Sequence, residues 1–253
     1  MKNIIILLIS LTLIACGGGG GETATTDTSS DTATQSASGI WRGTVTSVID
    51  GNSYESIGLI TEAGEVRFIT DDGEQTLGNV TVDGSTFNAS LTSYAPMGSV
   101  FTQNNSTILS GTASGTVKEK SSLSGSANYS GSVTSTFTFT YDSIYERDSS
   151  LSVIAGVYSD SDGSGYTETY SIDSLGNISG SDSDGCQFSG RIQILNSNFN
   201  VYRINLTVTN CGEANDTYSG LATLLDENGS TNDTLAVSFS GTTYVITGAV
   251  YRQ

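Results

Sequence analysis

The sequence predicts an all-β protein of two tandem homologous antiparallel domains. Each is an eight-stranded up-and-down barrel or, as the alternative, a two-sheet β-sandwich. Three observations lead there. Apolar and polar residues alternate over short runs, Asp-Gly and Asn-Gly pairs punctuate the runs, and the chain matches itself at a spacing of 112 residues.

The alternation defines the strands. Phe137, Phe139 and Tyr141 share one face of a run while Thr136, Thr138 and Thr140 share the other. Tyr202, Ile204, Leu206 and Val208 alternate with Arg203, Asn205, Thr207 and Thr209, and Leu235, Val237 and Phe239 follow the same rule. A period of two with one apolar face marks a half-buried antiparallel strand. In the first copy such runs are expected at 39–48, 54–61, 64–70, 75–82, 85–93, 106–117, 121–130 and 132–142. In the second they are expected at 153–159, 165–173, 176–182, 185–195, 199–210, 214–226, 231–239 and 242–251.

Asp50-Gly51, Asp72-Gly73, Asp83-Gly84, Asp162-Gly163, Asp184-Gly185 and Asn228-Gly229 supply the positive-φ residues that tight hairpins require. Eight hairpin-linked strands in a domain of this size close on themselves without leaving a free edge, whereas a sandwich would split them into two packed sheets.

The repeat places residues 60–88 over 172–200 without a gap. Identities fall at Ile60/Ile172, Gly64/Gly176, Asp72/Asp184, Gly73/Gly185, Gln75/Gln187, Gly78/Gly190, Ser85/Ser197, Phe87/Phe199 and Asn88/Asn200. With small gaps, Gly39-Ile40-Trp41 corresponds to Gly156-Val157-Tyr158, Ser110-Gly111 to Ser219-Gly220, and Tyr129 to Phe239. The period is domain-sized, longer than the units of solenoids. The copies are therefore read as 39–142 and 153–253, joined by a short helical or coiled linker at 143–152 where the alternation breaks.

The segment before them has another character. Lys2 and the apolar run that ends at Ala15 form a secretion signal over 1–15, too short for the ~20 residues of a membrane span. Residues 16–38 hold no aromatic and no branched aliphatic side chain, so they cannot offset the entropy of ordering and read as a disordered tether. For a flexible chain of that length the expected reach is roughly 25 Å.

Composition excludes several functions. The chain has 9 Lys+Arg against 26 Asp+Glu, a net charge of −17, and loss of Lys2 with the signal takes the mature chain to −18. Nucleic acid and anionic lipid surfaces call for the opposite sign. Histidine is absent, which removes the commonest general base and the main transition-metal ligand. Cys186 and Cys211 form an even pair in an exported chain and read as a disulfide rather than a metal site. A hairpin centred between Asn198 and Phe199 would set residues whose numbers sum to 397 opposite one another, as these two cysteines do.

Leu13-Ile14-Ala15-Cys16, placed behind an apolar run, resembles the lipobox of bacterial lipoproteins. The resemblance implies an acylated Cys16, carrying palmitate-type chains, as the mature N-terminus. Two or three acyl chains give stable membrane anchoring. Gly17 after the cysteine suggests outer-membrane sorting, facing the periplasm or the cell surface. The opening Gly39-Ile40-Trp41 is similar to the Gly-x-Trp start of lipocalin and avidin barrels, and tandem barrels on a lipid tether resemble surface lipoproteins of the transferrin-binding type.

Candidate chemistry is sparse. Trp41, Arg42 and Tyr158 are the candidate ligand contacts at barrel ends, set against a plain role in the core. Asp160, Asp162, Asp182 and Asp184 could offer carboxylates to a weak calcium site, although they lack the EF-hand spacing and also suit hairpin turns. Lys118 and Lys120 beside Ser121 and Ser122 have nothing to orient a Ser-Lys pair. The expected function is a lipid-anchored binding or envelope-interaction module, acting on a small molecule or an envelope protein. A structural lipoprotein with filled barrels is the alternative, and an enzyme working through carboxylates a lesser one. A cavity, a filled core, or convergent acids in a cleft would distinguish the three.

Overall fold

The computed structural model describes residues 33–96, 98–101, 105–129, 131–242 and 244–253, with Val133 described by its backbone alone. The signal, Cys16 and most of the tether lie outside the described residues. Sixteen strands form two closed antiparallel barrels of eight. The first barrel comprises β1 (Gly39–Ser47), β2 (Ser53–Ile60), β3 (Glu65–Thr70), β4 (Gln75–Asp83), β5 (Thr86–Tyr94), β6 (Ile108–Lys118), β7 (Ser122–Tyr129) and β8 (Ser132–Asp142). The second comprises β9 (Gly156–Ser161), β10 (Thr167–Ile172), β11 (Asn177–Asp182), β12 (Gln187–Ile194), β13 (Tyr202–Thr209), β14 (Asp216–Leu225), β15 (Thr234–Ser240) and β16 (Val245–Arg252). Within each barrel every strand pairs with its sequence neighbours, and β1–β8 and β9–β16 close the circles. The barrel is thus the architecture adopted, and the sandwich is not. Among the described residues no helix is long and apolar enough to cross a membrane.

Inward faces are apolar and outward faces are rich in Ser, Thr and Asn. On β5, Phe87 and Ala89 are buried while Thr86, Asn88 and Ser90 are exposed. That polarity is the reverse of a barrel set in lipid, whose outer band is apolar.

The internal repeat is visible at the level of atoms. Gly64 and Gly176, both at φ +82°, turn the β2–β3 and β10–β11 hairpins. A Cβ there would meet the Val80 carbonyl oxygen at 2.4 Å or the Ile192 carbonyl oxygen at 2.5 Å. The carbonyls of the same two glycines accept from the Val80 and Ile192 amides, each at 2.8 Å. A second correspondence is a swap. Gly58 faces Phe68 across β2–β3, while at the matching positions Tyr170 faces Gly180 across β10–β11. One aromatic ring fills the space in each barrel, and the glycine opposite admits it.

The gapless match ends at the β12–β13 tip. The β4–β5 turn spans only Gly84-Ser85, so Phe87 lies within β5, whereas Phe199 and Asn200 precede β13 in a longer loop. Phe87 is a core residue of its barrel; Phe199 instead stacks on Tyr145 at 4.7 Å, outside the second barrel. The longer loop also sets the β12–β13 register. Gln187 pairs with Thr209, which would set Cys186 opposite Asn210, one residue short of the expected partner. Asn210 takes up the difference at φ +58°. The Cys186–Cys211 disulfide closes there, with 4.6 Å between Cα atoms.

Each barrel has one plugged end. Trp41, fully buried, donates from Nε1 to the Ala37 carbonyl at 3.0 Å and meets Tyr141 edge-on at 5.4 Å. At the matching place Tyr158 donates its hydroxyl to the Ile154 carbonyl at 2.7 Å, with the Arg252 guanidinium 4.9 Å from its ring centre. The second seam has two ladder pairs against eight in the first. Arg252 reinforces it by donating to the Ala155 and Val153 carbonyls, each at 2.7 Å.

The linker holds a 3-10 turn, Ser143–Glu146, capped by Asp142, and one helical turn, α1 (Leu151–Ile154), capped by Ser150, which takes Val153 and Ile154 out of the strand expected at 153–159. Ile144 and Tyr145 from this linker join Ile40, Leu59, Val201, Leu221 and Leu225 in an apolar cluster between the barrels. Asn200 buries its amide in that cluster, donating to the Leu224 carbonyl at 2.6 Å and accepting from the Leu224 amide at 3.1 Å.

Candidate functional site

The interior of the first barrel is incompletely filled because small residues point into it. Gly78, Gly111, Gly115 and Gly125 face inward on β4, β6 and β7, together with Ala89, Ala113 and Ala127. The space they leave is a cavity of about 170 Å³. That is close to the engineered apolar cavity of about 150 Å³ that accepts benzene. Ile60, Val66, Val80, Phe87, Leu123 and Phe139 form its floor on the plugged side, and Phe101 covers part of it from the β5–β6 connection.

Polar groups converge at the opposite end. Ser93, fully buried, hydrogen-bonds the Thr76 hydroxyl at 2.7 Å and the Tyr129 hydroxyl at 2.6 Å. Burial raises Glu74 above its ordinary value of 4.5, a hydrogen bond with Ser93 opposes the rise, and the nearby Asp72 charge adds to it. Burial likewise raises the Tyr129 phenol. The Glu74 carboxyl therefore gives up its proton less readily than a free one, and the Thr76, Ser93 and Tyr129 hydroxyls beside it supply neutral donors and acceptors. A largely apolar molecule with one hydroxyl or carbonyl group matches this arrangement.

The second barrel replaces every part of that site. The positions of Glu74, Thr76 and Tyr129 hold Cys186, Phe188 and Phe239, and the strand matching the one that carries Ser93 carries Leu206 and Val208. Tyr158, Tyr202, Tyr218, Phe188, Phe239 and Ile192 pack into one buried core. At these four positions the polar groups of the first barrel give way to apolar side chains and a disulfide, and the polar groups at that end of the second barrel come instead from Asp160, Glu168 and Asp182 on β9, β10 and β11.

The residues expected from sequence are dispersed. Trp41 and Tyr158 plug their barrels from within. Arg42, the next residue along β1, points outward and pairs with Asp142 and Glu227, each at 2.7 Å. Trp41 and Arg42 therefore do not share a site. Asp162 accepts from the Ser164 amide at 2.8 Å, and Asp182 from the Asp184 and Cys186 amides at 3.0 and 2.9 Å, as turn-capping side chains do.

Asp160 and Asp182 flank Glu168 across β9–β10–β11, and Asp184 is exposed. The Asp182 carboxylate lies close to the sulfurs of Cys186 and Cys211, but the disulfide leaves no thiolate there to bind a metal. Glu74, Thr76, Ser93 and Tyr129 were not singled out from sequence. Their signal was available in the repeat, where polar residues at the ends of apolar inward faces lie against apolar counterparts.

No family model, characterised protein or solved structure is found to match the chain.

Proposed function

We propose that this protein is an outer-membrane lipoprotein, held by acylated Cys16 and a tether, whose first barrel binds a small, largely apolar molecule with one hydrogen-bonding group. The second barrel serves as a filled companion. The observation that carries this reading is the Glu74–Thr76–Ser93–Tyr129 cluster over an apolar cavity, set against its apolar replacement in the sister barrel. The volume favours a compact ligand, about one ring, since drug-sized sites run from about 300 Å³ upward.

Native mass spectrometry of the protein from its own cells, before and after denaturation, tests the reading. A small molecule released from the wild type but absent from Ala113→Phe, which fills the cavity, is the expected result. An identical molecule in both, or no molecule together with no thermal stabilisation by benzyl alcohol, would overturn it. The second outcome would favour an envelope-interaction module, a reading supported by the filled core of the second barrel. Crosslinking to envelope partners would then be the measurement to make.

A further inference from the structure

The outer faces of the two barrels leave a second space between them, of about 480 Å³. Ile57, Leu59 and Ile69 line one wall, from β2 and β3, and Leu221, Ala236 and Ala249 line the other, from β14, β15 and β16. The volume falls within the range of ligand sites, which favour such interfaces.

One charged side chain lines this cleft from a buried position. Arg67 is 9% exposed. Its Nε and Nη2 both donate to Glu65 Oε1 at 3.1 Å, but Nη1 is buried with no hydrogen-bond partner. Glu65 is shared, because Arg203 of the second barrel also donates to it, from Nη2 at 2.6 Å. Two guanidiniums against one carboxylate leave a net charge of +1 in a chain of net charge −17. A buried guanidinium donor without an acceptor is costly, and a charge-assisted bond to an anion would satisfy it.

We propose that the inter-barrel cleft is a second binding site, for a monocarboxylate with an aliphatic body. Its carboxylate pairs with Arg67, and its chain lies between the β2–β3 and β14–β16 walls. The one unpartnered guanidinium donor matches a single carboxylate head group, and Glu227 at the cleft margin disfavours polyanions. The site is formed by outward-facing side chains and does not depend on the interior of the first barrel.

The test is isothermal titration of the full chain carrying Cys16→Ser, so that neither acyl chains nor detergent compete, with decanoate and with decanol at pH 7. Decanoate is expected to bind at least about tenfold more tightly than decanol, the strength of one charge-assisted bond. Arg67→Gln should remove that preference, Ala249→Trp should abolish both, and Ala113→Phe in the first barrel should change neither. Absence of decanoate binding, or binding that Ala249→Trp retains and Ala113→Phe loses, would overturn the proposal. If circular dichroism shows that Arg67→Gln does not fold, the decanoate-to-decanol ratio of the parent chain and the Ala249→Trp result decide.

Discussion

The Gly58/Phe68 and Tyr170/Gly180 swap predicts that a pair of residues can be exchanged where neither can be changed alone. A Cβ on Gly58 would lie 2.2 Å from Cδ1 of Phe68, more than an ångström inside the contact distance of about 3.5–4.0 Å. The ring has little freedom to retreat, since it packs on Phe139 with centroids 4.8 Å apart. Overpacking of this kind costs about 1–3 kcal/mol for Gly58→Ala, and Gly58→Phe should prevent closure of the first barrel. Phe68→Ala removes a ring from the interior and should cost about 3–5 kcal/mol.

The double variant Gly58→Phe/Phe68→Gly returns one ring to one space, as the second barrel does, and should recover most of the stability lost by either single change. Trp41 is the sole tryptophan and plugs the first barrel, so urea unfolding followed by its emission reports on that barrel. A double variant as unstable as the two single changes added together would refute the argument that these positions share one volume.

Four further outcomes are expected. Tyr129→Phe, the residue already present at the matching Phe239, should cost about 0.5–1.5 kcal/mol through the hydrogen bond to Ser93. It should also weaken benzyl alcohol more than toluene in thermal-shift titrations, and an equal effect on both would remove the mouth cluster from ligand recognition. Because burial raises the folded-state pKa of Glu74, its contribution to stability is fully present below the ordinary carboxylate range and is lost as pH rises through the raised value. Glu74→Gln should therefore stabilise the first barrel more at pH 7 than at pH 4 by the Trp41 reporter; the opposite trend would place the carboxylate in a charge-stabilising setting. Cys186→Ala with Cys211→Ala opens a bridge of sequence separation 25 and should cost about 3–4 kcal/mol. Hydrogen exchange should show the loss concentrated in β12–β14. Cys16→Ser should abolish incorporation of labelled palmitate and release the protein from membranes, and retained label would argue against the lipid anchor.

The strands were legible because each buries one face, so a period of two in hydropathy survives in the sequence wherever a barrel has an inside. Turns were legible for a local reason: glycines such as Gly64 and Gly176 are required by backbone conformation and close approach. The β12–β13 register was not, because Ser197, Phe199 and Asn200 match Ser85, Phe87 and Asn88 by identity while a longer loop assigns them new roles. Phe199 left the barrel interior for the inter-barrel cluster, and no local property of the residue announces that move. The disulfide tolerated the slip because Asn210 adopts a left-handed conformation. The cavity was hidden for a different reason. Its volume is the sum of small residues on several strands, and its mouth gathers Glu74, Thr76, Ser93 and Tyr129 from positions far apart in the chain.

The asymmetry between the barrels follows from what each copy places at matching positions. With Phe188, Tyr202 and Tyr218 inside and Cys186–Cys211 across its mouth, the second barrel has the packed core and staple of a stable scaffold. The first has glycine and alanine inside and hydroxyls at its mouth, so it gives up packing at the place where a ligand could restore it. The barrels are tied by Glu65–Arg203, Arg42–Glu227 and the Tyr145–Phe199 stack, so stability supplied by the filled copy can support the hollow one. The approach of the chain sets a direction as well. The Gln35 amide donates to the Gly84 carbonyl at 2.8 Å, and Ala37 packs in the plug with Trp41. The described chain thus enters the first barrel at its closed end, and the polar mouth of the cavity opens at the other.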